Sequence, residues 1–309
     1  MQDKLPHDGA PADADRLDRF LLPGAGVRGV RVHLDDTWRQ IRARTDEGGN
    51  DQPAAVTELL GEAAAAAALF TGHAKVEGRL AVQLRGNGAL RTLFAECTAA
   101  GTVRAIAQVQ DGAPLPRDLR ALGEGAVLAI TIENPAPGDR DPVRYQGLVA
   151  LESDSLAGAF EDYFRQSEQL PTRLLLAADG NAAAGLMLQK LPGDSGDEDG
   201  WNRATALFET LGTDELLALP ATTLLRRLFH EEGVEMLGER PLRFGCSCSR
   251  DRVSAMLQSL GEEEATAAAE GGEANVRCEF CGEQYKFSPD EINALFQARP
   301  TAEGSDRLQ

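Results

Sequence analysis

The sequence predicts an α+β fold in three parts. These are an N-terminal body made of a mainly antiparallel sheet with packed helices, a helical linker region, and a small C-terminal domain built around four cysteines. Three observations lead to this prediction. Strand-like segments mostly follow one another with few helices between them, which favours an antiparallel sheet. An acidic, glycine-rich segment at 192–200 interrupts the pattern, and four of the five cysteines lie between Cys246 and Cys281.

The composition is that of a folded and soluble chain. Of 309 residues, 42% are apolar and 26% are charged, which excludes wholesale disorder. A net charge of −18 argues against broad binding to nucleic acid or to an anionic membrane. The start of the chain has no apolar signal segment, and the apolar stretch Ala63–Phe70 is far shorter than the roughly 20 residues of a membrane span. We therefore expect a cytoplasmic protein with a disordered tail over 1–15.

The body is expected to cover 16–190. Val30, Val32 and Leu34 alternate with polar residues and predict a strand. Thr57–Phe70 predicts a helix, because its alanine run has high helix propensity and allows close packing. Gly86-Asn87-Gly88 predicts the tight turn of a hairpin. The remaining expected strands are 80–84, 91–97, 103–109, 126–132, 144–151, 173–178 and 183–189, with a helix over 156–167.

A linker and helical switch region is expected over 191–240. Its first part, Pro192–Gly200, is acidic and contains no large apolar residue, so we expect it to be solvated. Three helices should follow, over 201–211, 214–219 and 222–232. Thr213 is the expected cap of the second helix, and Pro220 should end it.

The C-terminal domain, 241–309, contains the pattern Cys246-x-Cys248 and Cys278-x-x-Cys281. Two close pairs joined by a longer segment suit four tetrahedral thiolate ligands, and one Zn²⁺ is the best candidate cation. Ser288-Pro289-Asp290-Glu291 predicts a capping box that opens a helix with Ile292 on its apolar face. Five nearby cations are expected to offset the charge of the thiolates: Arg243, Arg250, Arg252, Arg277 and Lys286.

The spacing alone leaves several functions open. A constitutive structural zinc ribbon, a reversible redox switch, and an iron–sulfur site or thiol oxidoreductase all fit four clustered cysteines. The first pair has one residue between its cysteines, where zinc ribbons favour two to four. A disulfide within that pair would close a strained ring that is easy to reduce, as a reversible switch requires. The lone Cys97 is expected to be a buried, inert thiol.

Typical free energies of zinc binding and of folding indicate what a redox switch would do to the C-terminal domain. A structural zinc site contributes about 10–16 kcal/mol of folding free energy, whereas a whole domain is stable by only about 5–15 kcal/mol. Oxidation that removes the zinc should therefore unfold the C-terminal domain. Any apolar surface that the domain covers would then be exposed.

Two sets of motifs resemble the heat-shock protein 33 family of redox-regulated molecular chaperones, from about Arg16 to about Phe296. The first set surrounds the cysteines: Phe244-Gly245-Cys246-Ser247-Cys248-Ser249-Arg250, Cys278-Glu279-Phe280-Cys281 and Tyr285. The second set lies in the body: Val27-Arg28-Gly29, Val76-Glu77-Gly78-Arg79-Leu80, Arg144-Tyr145-Gln146-Gly147 and the segment 161–172.

The resemblance implies an ATP-independent holdase of the oxidative stress response, not an enzyme. It implies that Cys246, Cys248, Cys278 and Cys281 bind zinc in a reduced, inactive form. It also implies that peroxide with unfolding stress, or hypochlorous acid, forms the disulfides Cys246–Cys248 and Cys278–Cys281 and releases the zinc. The C-terminal domain and the linker, roughly 191–240, then unfold. The active protein is expected to be a homodimer that binds unfolding client proteins and binds neither nucleic acid nor membrane.

Two competing functions remain at this stage. A zinc-ribbon nucleic-acid-binding protein should carry a basic surface, but residues 240–309 contain 8 Lys and Arg against 12 Asp and Glu. A thiol–disulfide oxidoreductase would need an exposed cysteine of low pKa on a thioredoxin-like scaffold, which four clustered thiols suit poorly.

Overall fold

The computed structural model describes residues 15–46, 52–110, 116–123, 125–138, 140–193 and 197–297. The described residues divide into two compact units, the first within 1–245 and the second within 246–309. The first unit thus holds both the segment predicted as the body, 16–190, and the segment predicted as the linker, 191–240. The predicted tail over 1–15 lies, except for Asp15, outside the described residues.

The strands of the first unit are β1 (Arg16–Leu22), β2 (Val27–Leu34), β3 (Arg79–Arg85), β4 (Leu90–Thr98), β5 (Thr102–Val109), β6 (Val127–Asn134), β7 (Val143–Val149), β8 (Thr172–Ala178), β9 (Ala183–Lys190), β10 (Glu235–Pro241) and β11 (Arg243–Phe244). Its helices are α1 (Asp36–Asp46), α2 (Ala54–His73), α3 (Leu156–Tyr163), α4 (Gly200–Phe208), α5 (Thr213–Ala218) and α6 (Ala221–Phe229), with a 3-10 turn at Leu119–Leu122 and a π-helical turn at Phe164–Glu168.

These strands form two sheets. The five-stranded sheet has the order β10-β1-β2-β9-β8, and the six-stranded sheet has the order β11-β5-β4-β3-β6-β7. All pairings are antiparallel except that of β11 with β5, which confirms the predicted α+β class with a mainly antiparallel body.

Helix α2 lies between the two sheets and contacts strands of both. Its predicted alanine run explains this position, because small side chains let a helix be buried on all sides. At Gly61 the approach is so close that an added Cβ would lie 2.4 Å from the Cβ of Ala178. Among the described helices, α2 alone is long and apolar enough to cross a membrane, but 78% of its most apolar window is buried in the protein, as in a core helix.

Helices α4, α5 and α6 pack on the other face of the five-stranded sheet. Their buried residues Phe208, Leu216 and Phe229 share one cluster with Phe20 and Leu188 of the sheet. Two side chains of β2 also bind the end of α5, since Arg31 donates to the carbonyl of Leu219 at 2.6 Å and His33 Nε2 lies 2.9 Å from the carbonyl oxygen of Leu217. The predicted linker helices are therefore a folded layer over an apolar sheet face.

Several details differ from the sequence analysis, which also did not predict α1 or the short strand β11. Strand β1 was not predicted, because the charged residue Asp18 interrupts its apolar alternation. Asp18 is fully buried and pairs with Arg16 and Arg31. The cap of α5 is Gly212, and Thr213, the expected cap, is the first residue of the helix. Strand β10, after the helices, was also not expected, because its side chains show no apolar pattern.

The second unit contains α7 (Arg250–Leu260), α8 (Glu262–Ala267), β12 (Ala274–Arg277), β13 (Gln284–Phe287) and α9 (Pro289–Gln297). Strands β12 and β13 form an antiparallel hairpin. The predicted capping box is confirmed at α9, where the Glu291 amide donates to Ser288 Oγ at 3.3 Å and the Ser288 amide donates to Glu291 Oε2 at 2.9 Å.

Candidate metal centre

The four cysteines predicted as zinc ligands meet in the second unit. The sulfur atoms of Cys246, Cys248, Cys278 and Cys281 all lie within 4.8 Å of one another, and each side chain is half-buried. Two close separations join the two motifs, at 3.6 Å from Cys246 Sγ to Cys278 Sγ and 3.3 Å from Cys248 Sγ to Cys281 Sγ. All four are free thiols.

Each pair is held by local backbone structure. Cys246 and Cys248 lie in an extended segment that ends at Ser249, whose hydroxyl caps α7 by accepting a hydrogen bond from the Arg252 amide at 3.2 Å. Cys278 and Cys281 lie in the turn between β12 and β13. There the Cys278 amide donates to the Glu283 carbonyl at 2.8 Å, and the turn closes at Gly282, which has φ +74°. Glycine suits this position because the left-handed region disfavours residues with a Cβ.

The sulfur set fits zinc. Four sulfur atoms bound tetrahedrally at a Zn–S distance of about 2.3 Å would lie about 3.8 Å apart. The two separations of 3.3 Å and 3.6 Å are close to that value, and all the others are at most 4.8 Å. A closed set of four thiolates favours a structural site, because it leaves no open position for substrate. The residues present could therefore hold one zinc ion without rearrangement of the backbone.

Burial opposes charge on two of these thiols. Desolvation raises the pKa of both Cys278 and Cys281, although backbone amides from Phe280 and Cys281 act in the opposite direction on Cys278. Without a cation, these thiols keep their protons at neutral pH. A bound divalent cation inverts that preference, since a coordinating thiol is deprotonated.

A tyrosine contacts the centre. Tyr285, on β13, donates a hydrogen bond from its hydroxyl to Cys248 Sγ at 3.1 Å. This bond is the main reason why the pKa of Tyr285 is raised. The sequence analysis noted Tyr285 only within a family motif. The signal that could have given it a role is its position in an alternating strand that starts three residues after Cys281.

The cations expected to neutralise the thiolates mostly have other partners. Arg250 pairs with Glu291 at 2.6 Å, and Lys286 pairs with Glu273 at 3.4 Å. Arg252 is the exception near the first pair, because it donates to both the carbonyl and the hydroxyl of Ser247, the residue between the two cysteines. These two hydrogen bonds from Arg252 stabilise the loop that holds Cys246 and Cys248.

The second unit has a small core. In the described part of this unit, the apolar cluster contains seven buried residues: Val253, Leu257, Ala265, Ala269, Ala274, Phe287 and Ile292. Three of these are alanines, which bury little area. A unit of this kind needs a further source of stability, which a metal can supply.

The fifth cysteine is separate from the centre. Cys97 lies on β4 in the core of the first unit and is fully buried. Burial raises the pKa of its thiol to about 11. The expectation of an inert, buried thiol is confirmed, because a protonated and inaccessible sulfur is a poor nucleophile.

Comparison with protein families gives a match to the Hsp33 protein family over residues 15–288. The 33 kDa chaperonin of Chromobacterium violaceum is 41% identical over 286 residues, which cover 91% of this chain and 94% of the relative. The 33 kDa chaperonin of Hahella chejuensis is 42% identical over 290 residues, with 92% and 98% covered.

A solved structure shares the fold. The crystal structure of the 33 kDa chaperonin (heat shock protein 33 homolog) of Thermotoga maritima superposes with a TM-score of 0.73 and 21% sequence identity, over 92% of this chain and 98% of that one.

Proposed function

Because the chain belongs to the Hsp33 family of chaperones, we propose that it is a redox-regulated, ATP-independent holdase. In the proposed cycle, the reduced form holds one zinc ion on Cys246, Cys248, Cys278 and Cys281 and does not bind clients. The observation that carries this proposal is the cluster of four half-buried thiols within 4.8 Å of one another, in a unit whose described core has seven buried residues, three of them alanines.

Because that core is small, the state of the four thiols should decide whether the second unit is folded. Zinc bound to four cysteines contributes about 10–16 kcal/mol to the folding of small domains. This is comparable to the entire stability of an ordinary domain. Oxidation of the four thiolates removes the ligands of the cation, so the second unit loses its main source of stability and unfolds.

The oxidation is a two-electron step for each disulfide. A thiolate attacks hydrogen peroxide to give a sulfenic acid and hydroxide, and a second thiolate then displaces hydroxide from that sulfur to form the S–S bond. We propose the pairs Cys246–Cys248 and Cys278–Cys281. In the compact centre all four sulfur atoms are neighbours. Once the unit opens, the partner two or three residues away stays near, because short loops close at the lowest entropic cost.

The proposed client-binding surface is the face of the five-stranded sheet that the linker helices cover. Helices α4–α6 cover apolar residues of the five-stranded sheet, among them Phe20, Leu22 and Leu188. Unfolding of the linker, roughly 191–240, would expose this sheet face to solvent. An apolar surface of this kind binds the apolar segments that an unfolding protein exposes.

We further propose that the protein acts in the cytoplasm during oxidative stress, as a homodimer when active, and that it binds neither nucleic acid nor membrane. The excess of acidic residues supports the last point, since the net charge is −18. The proposed activity is binding and not catalysis, so it has no catalytic residue.

The decisive experiment measures aggregation of a heat-unfolded model protein by light scattering. Three samples are compared: zinc-loaded reduced protein, protein oxidised with peroxide at raised temperature or with hypochlorite, and oxidised protein that is reduced again with zinc. Only the oxidised sample should suppress aggregation, with loss of one zinc and four thiols per chain. Equal activity of the zinc-loaded reduced form would contradict the proposal.

The chain offers a matched control. Cys97→Ser removes a buried thiol of the first unit that is not one of the four clustered cysteines, so it should change neither the zinc content nor the oxidant concentration needed for activation. Cys281→Ser should lower zinc affinity and remove the dependence on oxidant.

A further inference from the structure

The edge strand β10 is held to the five-stranded sheet in an unusual way. It pairs antiparallel with β1 from Arg16↔Pro241 to Leu21↔Glu235, with a bulge near Gly238. Five of its seven residues are exposed, including Met236 and Leu237 at 44% and 53%. Strands in protein cores bury about half of their side chains, so β10 is attached mainly through its backbone.

Few side-chain contacts hold this strand. Glu239 pairs with Arg16 of β1 at 3.2 Å, and Arg240 donates to the carbonyl of Ala99 at 3.1 Å. The ion pair is partly exposed, so it contributes little stability. The edge of β1 therefore accepts a strand for its extended shape, without a requirement for particular side chains.

The position of β10 in the chain couples it to the redox switch. It follows the helices that end at Phe229, and it precedes the pairing of Arg243 and Phe244 with β5, directly before Cys246. In the proposed function, the linker, roughly 191–240, contains most of β10 and unfolds on oxidation together with the second unit, which begins at Cys246. A strand with little buried side-chain area and no folded neighbour in the chain should then leave the edge of β1.

We propose that, after oxidation, the edge of β1 binds an extended segment of the client as an added antiparallel strand, in the place that β10 occupies in the reduced form. This inference rests on the proposed function and names the site and the conformation of the bound client. Strand β10 is the internal occupant that shows what the site accepts: about seven residues in extended conformation.

The chemistry of the site selects apolar, unfolded segments. The vacated edge would present unpaired N–H and C=O groups, which only an unfolded or extended chain can satisfy along its length. Phe20 and Leu22 of β1 lie in the apolar cluster under α4–α6. With those helices gone, the side chains on one face of an added strand would lie beside this apolar face.

The opposite edge of the same sheet is less suited. On β8, the carboxylate of Glu161 already accepts a hydrogen bond from the Leu174 amide at 2.7 Å. Glu161 also lies 3.4 Å from Arg173, so a charged pair lies at this edge. Charges and side-chain caps at a sheet edge discourage the addition of a strand.

Hydrogen–deuterium exchange with mass spectrometry on the full-length protein tests the proposal. In the reduced, zinc-loaded form, residues 16–22 should be protected on both edges. After oxidation, about half of their amides should exchange, because amides of a strand alternate between its two neighbours. Saturation with a heat-unfolded client should restore protection. Residues 183–190 of β9, which pair with both β2 and β8, are the internal control and should stay protected throughout.

Two outcomes would overturn the inference. Residues 16–22 could stay protected after oxidation, which would mean that β10 does not leave. They could also continue to exchange while client is bound. Either result, obtained with protein that suppresses aggregation, rejects the strand site and leaves the holdase function intact. Loss of the holdase function itself would appear in the aggregation assay, as a lack of suppression by the oxidised form.

A photo-crosslinker locates the occupant directly. Arg19 is exposed on β1 and lies opposite Gly238. With p-benzoylphenylalanine in place of Arg19, light should link residue 19 to the segment 235–241 in the reduced form, and to client in the oxidised form. The same amino acid in place of Tyr145, exposed on the edge strand β7 of the other sheet, is the matched control. The inference fails if client crosslinks equally at both positions, or if position 19 stays linked to 235–241 while client is bound.

Discussion

The hydroxyl of Tyr285 shows how a single atom can act on the centre. It lies 3.1 Å from Cys248 Sγ and donates its proton to that sulfur. A hydrogen bond donated to a metal-bound thiolate spreads its negative charge, so we expect it to strengthen the binding of a cation at this centre. The hydroxyl of Tyr145 also makes a hydrogen bond, but its partner is Tyr163 of the first unit, so Tyr145 serves as a comparison for Tyr285.

Tyr285→Phe should weaken zinc binding. The variant removes one hydrogen bond to a charged sulfur, which contributes about 1.5 kcal/mol, or roughly tenfold in affinity. Competition with a chromophoric chelator under reducing conditions measures the change. Tyr145→Phe is the matched control and should leave the affinity as it is. Equal affinity in Tyr285→Phe and the unmodified protein would show that the hydroxyl does not stabilise the thiolate.

At the scale of elements, the layer α4–α6 depends on a few large side chains. Phe229 at the end of α6 is fully buried, and its ring stacks on Phe20 of β1 with centroids 6.3 Å apart. The helices are short, so isolated segments of this length would not be stable in water. Their structure therefore depends on packing against the sheet.

Phe229→Ala should loosen this layer while zinc is still bound. Truncation of a fully buried phenylalanine costs about 3–5 kcal/mol, which is large for three short helices. We expect faster cleavage within 200–229 in limited proteolysis and partial binding of client without oxidant. Arg226→Ala, an exposed change on the same helix, is the control. If both variants resist protease like the unmodified protein, the layer does not depend on this contact.

At the scale of the whole molecule, two units differ in what stabilises them. The first unit has two sheets with a mostly buried helix between them and large apolar clusters. The second has a core of seven residues and four thiols. Hydrophobic burial scales with the size of the core, so the first unit should be stable without metal and the second should not.

Removal of metal should therefore unfold the second unit selectively. With a strong chelator and a thiol reductant, we expect rapid amide exchange over 250–297 and continued protection of α2. Addition of zinc should reverse the change, because no disulfide has formed. Protection of α7–α9 in metal-free, reduced protein would contradict this expectation and would also weaken the proposed switch.

Much of this arrangement was predictable from local sequence. Local apolar patterns located β2–β9, with apolar and polar residues alternating in the segments that became β2 and β3. Cysteine spacing identified all four members of the thiol cluster, since two cysteines that are two or three residues apart can bind the same metal ion. The capping box at Ser288 was also correct, because its hydrogen bonds are made within four residues.

Tertiary structure alone decided the rest, because the relevant contacts join residues far apart in the chain. Asp18 is buried through its pairing with Arg31, β10 is a strand because β1 offers an edge, and Tyr285 reaches a sulfur 37 positions earlier. Asp18 and β10 have no local pattern that could reveal them, and the strand that contains Tyr285 does not show which atom its hydroxyl contacts. The sequence by itself determined most of the elements and which thiols gather. The folded chain determined which surfaces are covered, because coverage depends on backbone hydrogen bonds and packing between distant segments.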